Sequence, residues 1–338
     1  MKRLIYITLT VCLLQFNVVS AQGDLDQIVK GSLSDAKTLV EGYIGPAMKG
    51  LGEGLNYGWY NTAKTHKTLG LDFTITTSLM YIPKGDELYT VDNSKLQQIK
   101  LISYDGQAIS STGSGKVPTL FGPDKTPTYQ IAPAPSFSGP PGLDLKNSFK
   151  LANALPVPMY HLGIGLPKGF DLKVRWSPRL DVGDLSFNLF GIGIMHDVKQ
   201  YIPGLKSLPF DLSGFVGYTR MKVEVALSGI STGQNQRVLT EFNSTTIQAL
   251  ISKKIAVMTI YGGVGYNFAK SNLAMKGTYD LDDDGTPEAT DPINLEFSTS
   301  GPRLTGGLRL KLAVFTFHCD YTLAKYKALS GGFGINIR

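Results

Sequence analysis

Carboxylates crowd together at one place in this chain of 338 residues, the run Asp280-Leu281-Asp282-Asp283-Asp284-Gly285. Asp280, Asp282 and Asp284 take positions 1, 3 and 5 of a loop, Gly285 takes 6, and Thr286, Glu288 and Asp291 fall at 7, 9 and 12. Hard oxygen ligands at that spacing, with a glycine that lets the chain turn back, suit Ca²⁺ coordination. Asp291 stands where such loops carry a bidentate Glu, and neither flank reads as a helix. The expectation is a weak structural Ca²⁺ site on Asp280, Asp282, Asp284, Thr286 and Asp291, set against the alternative of a solvated acidic loop tip.

A second group of charges lies on strands. His318 and Asp320 share one face of an alternating segment, near Arg303, Arg309 and Lys311 on its neighbour, and Asp171, Lys173 and Arg175 share a face of another. A proton shuttle or a phosphate site is conceivable there; a network of paired charges bracing a wall is the simpler reading. His66, His161 and His196 show no two at metal spacing. A serine hydrolase would need Ser, His and an acid meeting in one layer. Gly262-Gly263-Val264-Gly265 and Gly331-Gly332-Phe333-Gly334 sit inside strands with no following helix, so they read as bends or close approaches rather than nucleotide loops.

What positions these residues follows from composition and periodicity. With 18% charged residues, 42% hydrophobic ones, 38 Gly, 16 Tyr and 16 Phe, the chain is neither disordered, collagenous nor a coiled coil. A formal charge of +6 is too mild and dispersed for a nucleic-acid partner. Residues 1–21 read as a signal peptide: Lys2 and Arg3, an apolar stretch from Leu4 to Val19, then Val19-Ser20-Ala21 with cleavage after Ala21. Cys319 is then the lone cysteine, so no internal disulfide is expected. The mature chain has no apolar run of about 18 residues that would span a bilayer as a helix.

Leu25, Ile28, Val29, Leu33, Ala36, Leu39 and Val40 recur at helical spacing, and this helix is expected to end near Gly42. A short Gly-broken segment follows from Pro46. From Thr68 the period becomes two. The pair of runs Tyr160 to Leu166 and Phe170 to Trp176 brackets a Pro167-Lys168-Gly169 turn, and three alternating runs finish the chain from Leu304. Around Thr219 the apolar phase flips, which suggests a bulge where a strand leaves lipid. A turn is expected at Ser252-Lys253-Lys254.

Long alternating strands, long polar loops opposite short turns, and aromatics such as Tyr81, Tyr160, Trp176, Tyr218, Tyr266 and Tyr321 describe an all-β transmembrane antiparallel β-barrel. The tally is about 12 strands, range 10–14, with doubtful ones at residues 96–104 and 116–121. Residues 22–67 form a short helical N-terminal plug and 68–338 the barrel. The Pro/Gly-rich stretch 105–157 reads as an irregular loop or lid, and 228–237 and 271–300 as outer loops.

The helical, Gly/Pro-broken N-terminus followed by long alternating strands resembles the long-chain fatty-acid and aromatic-hydrocarbon transporters of the Gram-negative outer membrane. Gly42-Tyr43-Ile44-Gly45-Pro46, Gly165-Leu166-Pro167-Lys168-Gly169 and Gly193-Ile194-Met195-His196-Asp197 through Pro203-Gly204 more closely resemble an uncharacterised exported family of similar length. The resemblance implies an outer-membrane location, outer-membrane lipid as a partner and a small hydrophobic ligand, with no catalysis. The leading expectation is thus a passive channel, its lumen lined by Asp171, Lys173, Arg175, Arg303, Arg309, Lys311, His318 and Asp320. The alternatives are a sealed barrel with a loop-borne binding or structural role, and a barrel-embedded lipid-modifying enzyme.

Overall fold

The computed structural model describes residues 32–133, 135–149, 153–227, 233–280 and 284–337; the expected signal peptide and its cleavage site lie outside them. Among the described residues one long helix, α1 (Leu33–Gly54), precedes β1 (Leu71–Tyr81), and the part of the expected helix at 25–31 lies outside them. Six short strands follow: β2 (Leu88–Asp92), β3 (Ile99–Tyr104), β4 (Gln107–Ala108), β5 (Ser114–Pro118), β6 (Thr128–Ile131) and β7 (Ser136–Ser138), then a turn of helix, α2 (Leu145–Phe149). Long strands then run to the end: β8 (Ala154–Leu166), β9 (Phe170–Val182), β10 (Leu185–Asp197), β11 (Asp211–Ala226), β12 (Arg237–Ile255) and β13 (Met258–Lys276). After the small pair β14 (Thr278–Tyr279) and β15 (Ala289–Thr290) come β16 (Asn294–Leu312), β17 (Phe315–Leu323) and β18 (Ala328–Ile337).

Ten strands close on themselves in the order β1-β18-β17-β16-β13-β12-β11-β10-β9-β8, all antiparallel. Closure leaves no strand edge facing hydrocarbon, where an unpaired backbone group costs several kcal/mol. Alternation along each strand does the sorting. Phe73, Leu162, Ile192, Val264, Leu308 and Phe333 point outward and are 40–55% exposed, while Thr74, Thr76, Arg175, Thr246, Asn267 and Thr316 point inward and are fully buried. A continuous apolar outer face on a closed wall with a polar interior is a transmembrane barrel.

The two doubtful strands fall outside the wall, which accounts for the count of ten instead of about twelve. They are β3 and β5, members of a cap that also contains β2, β4, β6 and β7, arranged as the sheets β2-β5 and β4-β3-β6-β7. The stretch read as irregular loop thus contains four short strands, β4 to β7, and its last residues, from Ala154, already belong to β8. Val91, Leu96, Ile99, Leu101, Val117 and Tyr129 give the cap an apolar core continuous with Ala36 and Leu39 of α1.

Other expectations shift in detail. β11 pairs without a register break from Asp211 to Ala226, so no bulge lies at Thr219. The phase flips because the surroundings change: Met221 and Val223 still face inward, where they join the apolar cluster around α1, while outward Arg220 and Lys222 pair with Glu241 at 3.1 and 2.6 Å. The wall continues past the lipid as a water-bathed collar with an apolar filling. The turn expected at 252–254 sits instead at Ala256-Val257, with Ala256 in the left-handed region at φ 53°. Loop 271–300 shrinks to 277–293, because β13 extends to Lys276 and β16 starts at Asn294.

α1 does not stop at Gly42. It continues through Gly45, Pro46, Gly50 and Gly52 to Gly54, about 33 Å at 1.5 Å per residue. Ser32 caps its start by accepting from the Asp35 N–H. Glycine's low helix propensity is outweighed by enclosure: a Cβ at Gly52 would sit 2.9 Å from Ser271 Oγ and 3.1 Å from the Ala269 Cβ, so only a bare backbone passes so near the wall. The long-loop end of the barrel carries the cap, the 226–237 and 276–294 connections and the tight turns after β9 and β17; the other end carries the short turns after β8, β12 and β16 and the 198–210 connection. α1 starts under the cap, where the Asp35 carboxylate accepts from Gln97, Gln98 and Ile99 N–H groups, and the chain after it descends to the short-turn end, where the Leu69 N–H donates to Gly165 O.

Candidate functional site

Every lumen residue expected from the sequence faces inward, and the structure gives most of them a partner. Near the short-turn end Asp171, fully buried, accepts from the His66 backbone N–H at 2.9 Å and lies 2.8 Å from its Nδ1. Two residues on, Lys173 shares the interior with Asp72 and His161, whose Nε2 stands 4.0 Å from Asp72 Oδ1. His318 Nε2 meets Thr76 Oγ1 at 3.1 Å, Asp320 accepts from Tyr261 Oη at 2.9 Å, and Lys311 donates to Asn336 Oδ1. Arg309 is also buried in this layer.

Arg175 and Arg303 do something different. Arg175 Nη1 donates to Leu55 O at 2.9 Å and Nη2 to Tyr57 O, while Arg303 Nη1 donates to Asn56 O at 2.8 Å and its Nη2 to Thr305 Oγ1 at 2.9 Å. The last carbonyls of a helix lack internal partners and carry the negative end of its dipole. Here two guanidinium groups from opposite stretches of the wall meet the backbone just beyond the C-terminus of α1. Arg175 also lies over the Trp59 ring, 3.6 Å from its centroid, and Arg303 lies 5.2 Å from that of Tyr57.

Sequence reading missed the neutral partners that complete this seat. Ser244 Oγ donates to Gly52 O at 2.6 Å, Ser271 Oγ to Met48 O at 2.9 Å, and Asn267 Nδ2 to Glu53 Oε1 at 2.7 Å. Lower down, Tyr60 Oη donates to Gln248 Oε1 at 2.6 Å and Ser213 Oγ to Ala63 O at 2.6 Å. Their only signal was small or amide side chains on the inward phase of β11 to β13. Trp59, 1% exposed, fills the space left where inward positions on β10 and β11 are glycine: a Cβ at Gly193 or Gly217 would stand 3.0 or 2.9 Å from its ring. The glycine-rich runs divide in two. At Gly263 a Cβ would meet Tyr60 Oη at 2.5 Å, a plug contact, whereas at Gly332 it would meet the His318 ring at 2.6 Å, a wall contact.

The acidic loop comes together in part. Oxygens of Asp280, Asp284 and Glu288 lie within 4.8 Å of one another. Thr286 contributes its N–H to Asp284 Oδ1 at 2.7 Å, and Asp282 lies outside the described residues. Asp291 is not in this group: it lies 2.8 Å from Lys276 Nζ and accepts from the Gly277 N–H at 2.9 Å, and the hydrogen bond from Lys276, helped by Gly277, holds its carboxyl below the ordinary range. A Gly-x-Ser-x-Gly spacing at residues 229–233 falls in the connection between the antiparallel strands β11 and β12, mostly outside the described residues.

No curated protein matches the chain. Among solved structures it is similar to the attachment invasion locus protein Ail of Yersinia pestis, at 9% identity over 80% of this chain and 99% of that one, with a TM-score of 0.28. It is also similar to the translocator domain of the autotransporter NalP from Neisseria meningitidis, at 14% identity over 81% and 90% of the two chains and a TM-score of 0.30. A deltaS2S3 mutant of the TodX monoaromatic hydrocarbon channel gives 9% identity, 80% and 68% coverage and a TM-score of 0.25. At such scores the likeness carries no functional weight, and the fold rests on the chain's own strand pairing. Residues 1–337 match the model of a Family of unknown function (DUF6588), and the chain belongs to that family.

Proposed function

We propose that the protein is an outer-membrane barrel of a Gram-negative bacterium, closed by its own amino-terminal segment, that holds a folded cap at the outer surface for a binding or structural role. The observation that carries this reading is the double clamp of Arg175 and Arg303 on the carbonyls of residues 55–57 inside the lumen. Hydrogen bonds to charged donors are each worth about 1.5–3 kcal/mol, and the serine and asparagine contacts add to them. A plug held in this way is a resident part of the wall. Passage of small hydrophobic compounds, the first expectation from sequence, would require those bonds to break in every cycle and offers polar groups where an apolar ligand would pass.

The longer loops mark the outer face and the short turns the periplasmic one. On that orientation α1 hangs from the cap into the barrel, and cap and plug share one apolar core. The outer cap is then the surface available for a partner, and the helix is its anchor.

The test is uptake and conductance in liposomes. The full chain should pass neither ions nor a small aromatic probe, and deletion of residues 22–61 should open a leak. Uptake of the probe by the full chain above the rate of protein-free liposomes would sink the sealed reading in favour of transport.

A further inference from the structure

We propose that the loop joining β13 to β16 binds one calcium ion through Asp280, Asp284 and Glu288, with Asp291 excluded from the ligand set. Asp280 is only 1% exposed although it stands on a surface connection. Its Oδ2 accepts from the Gly285 N–H at 2.9 Å, while Oδ1 is buried and meets no hydrogen-bond donor among the described residues. A carboxylate oxygen withdrawn from water and left without a donor is costly unless a cation meets it. The surrounding groups offer more negative charge instead: oxygens of Asp284 and Glu288 approach until all three lie within 4.8 Å of one another.

Three carboxylate oxygens so placed repel one another, and a divalent cation at their centre reverses the sign of that interaction. Oxygens all within 4.8 Å of one another can share one calcium ion, whose oxygen ligands stand at about 2.4 Å in a flexible geometry that tolerates an irregular carboxylate set. The frame is built for it. β14 and β15 pair Thr278 with Thr290 and Tyr279 with Ala289, and the Glu288 N–H donates to Tyr279 O at 3.1 Å, which fixes Glu288 beside Asp280 across the stem. Asp291, which the sequence spacing put at the last ligand position, is instead held by Lys276 and Gly277. Two of the three ligands are exposed, so water completes the shell, and the affinity belongs to the weak extracellular range of about 10⁻⁴–10⁻³ M. The site lies in the loop and does not depend on the state of the lumen.

Calcium titration of the full chain in detergent, by calorimetry, tests this, with proteolysis of the loop as a second readout. One saturable site per chain should appear, with at least a tenfold loss of affinity in Glu288→Gln and Asp284→Asn and an unchanged affinity in Asp291→Asn. Calcium should also slow cleavage of the loop in the parent and in Asp291→Asn, and not in Glu288→Gln. Absence of saturable binding up to about 10 mM, well above that affinity range, would overturn the proposal. So would loss of binding in Asp291→Asn that equals the loss in Glu288→Gln. Barrel integrity in each variant is checked by its resistance to unfolding in cold detergent.

Discussion

Arg175 rests on the face of Trp59, with its guanidinium carbon 3.6 Å from the ring centroid, and from that position reaches the carbonyls of Leu55 and Tyr57. One wall residue thereby fixes both the end of a helix and the aromatic side chain that follows it. Stacking holds the guanidinium plane, and the plane aims its donors.

Replacing Arg175 by Ala should free the 55–60 segment while leaving the barrel closed as a sheet. Two hydrogen bonds from a charged donor and one cation–π contact are lost, about 3 kcal/mol in all, allowing for non-additivity. The expected result in planar bilayers is intermittent conductance from a protein that is otherwise silent. Arg175→Lys should behave similarly, because an ammonium cannot serve two carbonyls and stack. A silent Arg175→Ala protein with parental thermal stability would show that the clamp is ornamental.

Trp59 and Trp176, the two tryptophans of the chain, report on the inside and the outside of the wall. Trp59 is 1% exposed and Trp176 64%. With Trp59→Phe, the remaining fluorescence should be quenched strongly by brominated lipid; with Trp176→Phe, it should be nearly immune. Equal quenching of the two variants would contradict either the lipid-facing belt or the plug.

How much of this was legible in sequence depends on which side of the wall a residue serves. The outward phase is set by lipid, one solvent with one preference, so Leu162, Phe190, Ile192 and Phe333 announce themselves by period two. The inward phase answers to whatever the chain places inside, and that differs with height. Where charge faces charge, Asp171, Lys173 and Arg175 stood out; where α1 fills the lumen, Met221 and Val223 made the pattern look inverted. α1 itself was misjudged because Gly42 and Pro46 are read as helix breakers in water, whereas inside a narrow barrel a bare backbone is what fits. The cap was obscured by its prolines and by strands as short as two and three residues. Of the acidic loop, the spacing marked Asp280 and Asp284, which the fold does bring together, but the pairing of Asp291 with Lys276 lies outside any motif.

Asp35 ties helix to cap, and its loss should be felt there alone. Its carboxylate accepts from the backbone N–H groups of Gln97, Gln98 and Ile99 at 2.7–3.0 Å while 1% exposed. Asp35→Ala leaves these three donors without their acceptor, at about 1–3 kcal/mol for each that stays buried. Limited proteolysis should then cut within residues 88–131 at least tenfold faster, with the strands of the wall still protected. Asp35→Asn, which keeps an acceptor oxygen, should fall between the two. A cap as resistant as the parent's in Asp35→Ala would mean that the shared apolar core alone holds it.

The direction of the plug gives the last prediction. Asp35 binds the cap and Asp171 binds His66 at the opposite end, so the chain enters the barrel from the long-loop side and β1 begins at the short turns. If those loops face outward, the start of α1 is at the cell surface. In a Cys319→Ser background, Ser34→Cys should react with a membrane-impermeant maleimide on intact cells, and Lys168→Cys in the Pro167–Gly169 turn should react only after the outer membrane is opened. Both positions are exposed to water in the folded chain, so reactivity reports sidedness and not burial. Labelling of Lys168→Cys alone on intact cells would invert the barrel and place the cap in the periplasm, and with it the calcium loop.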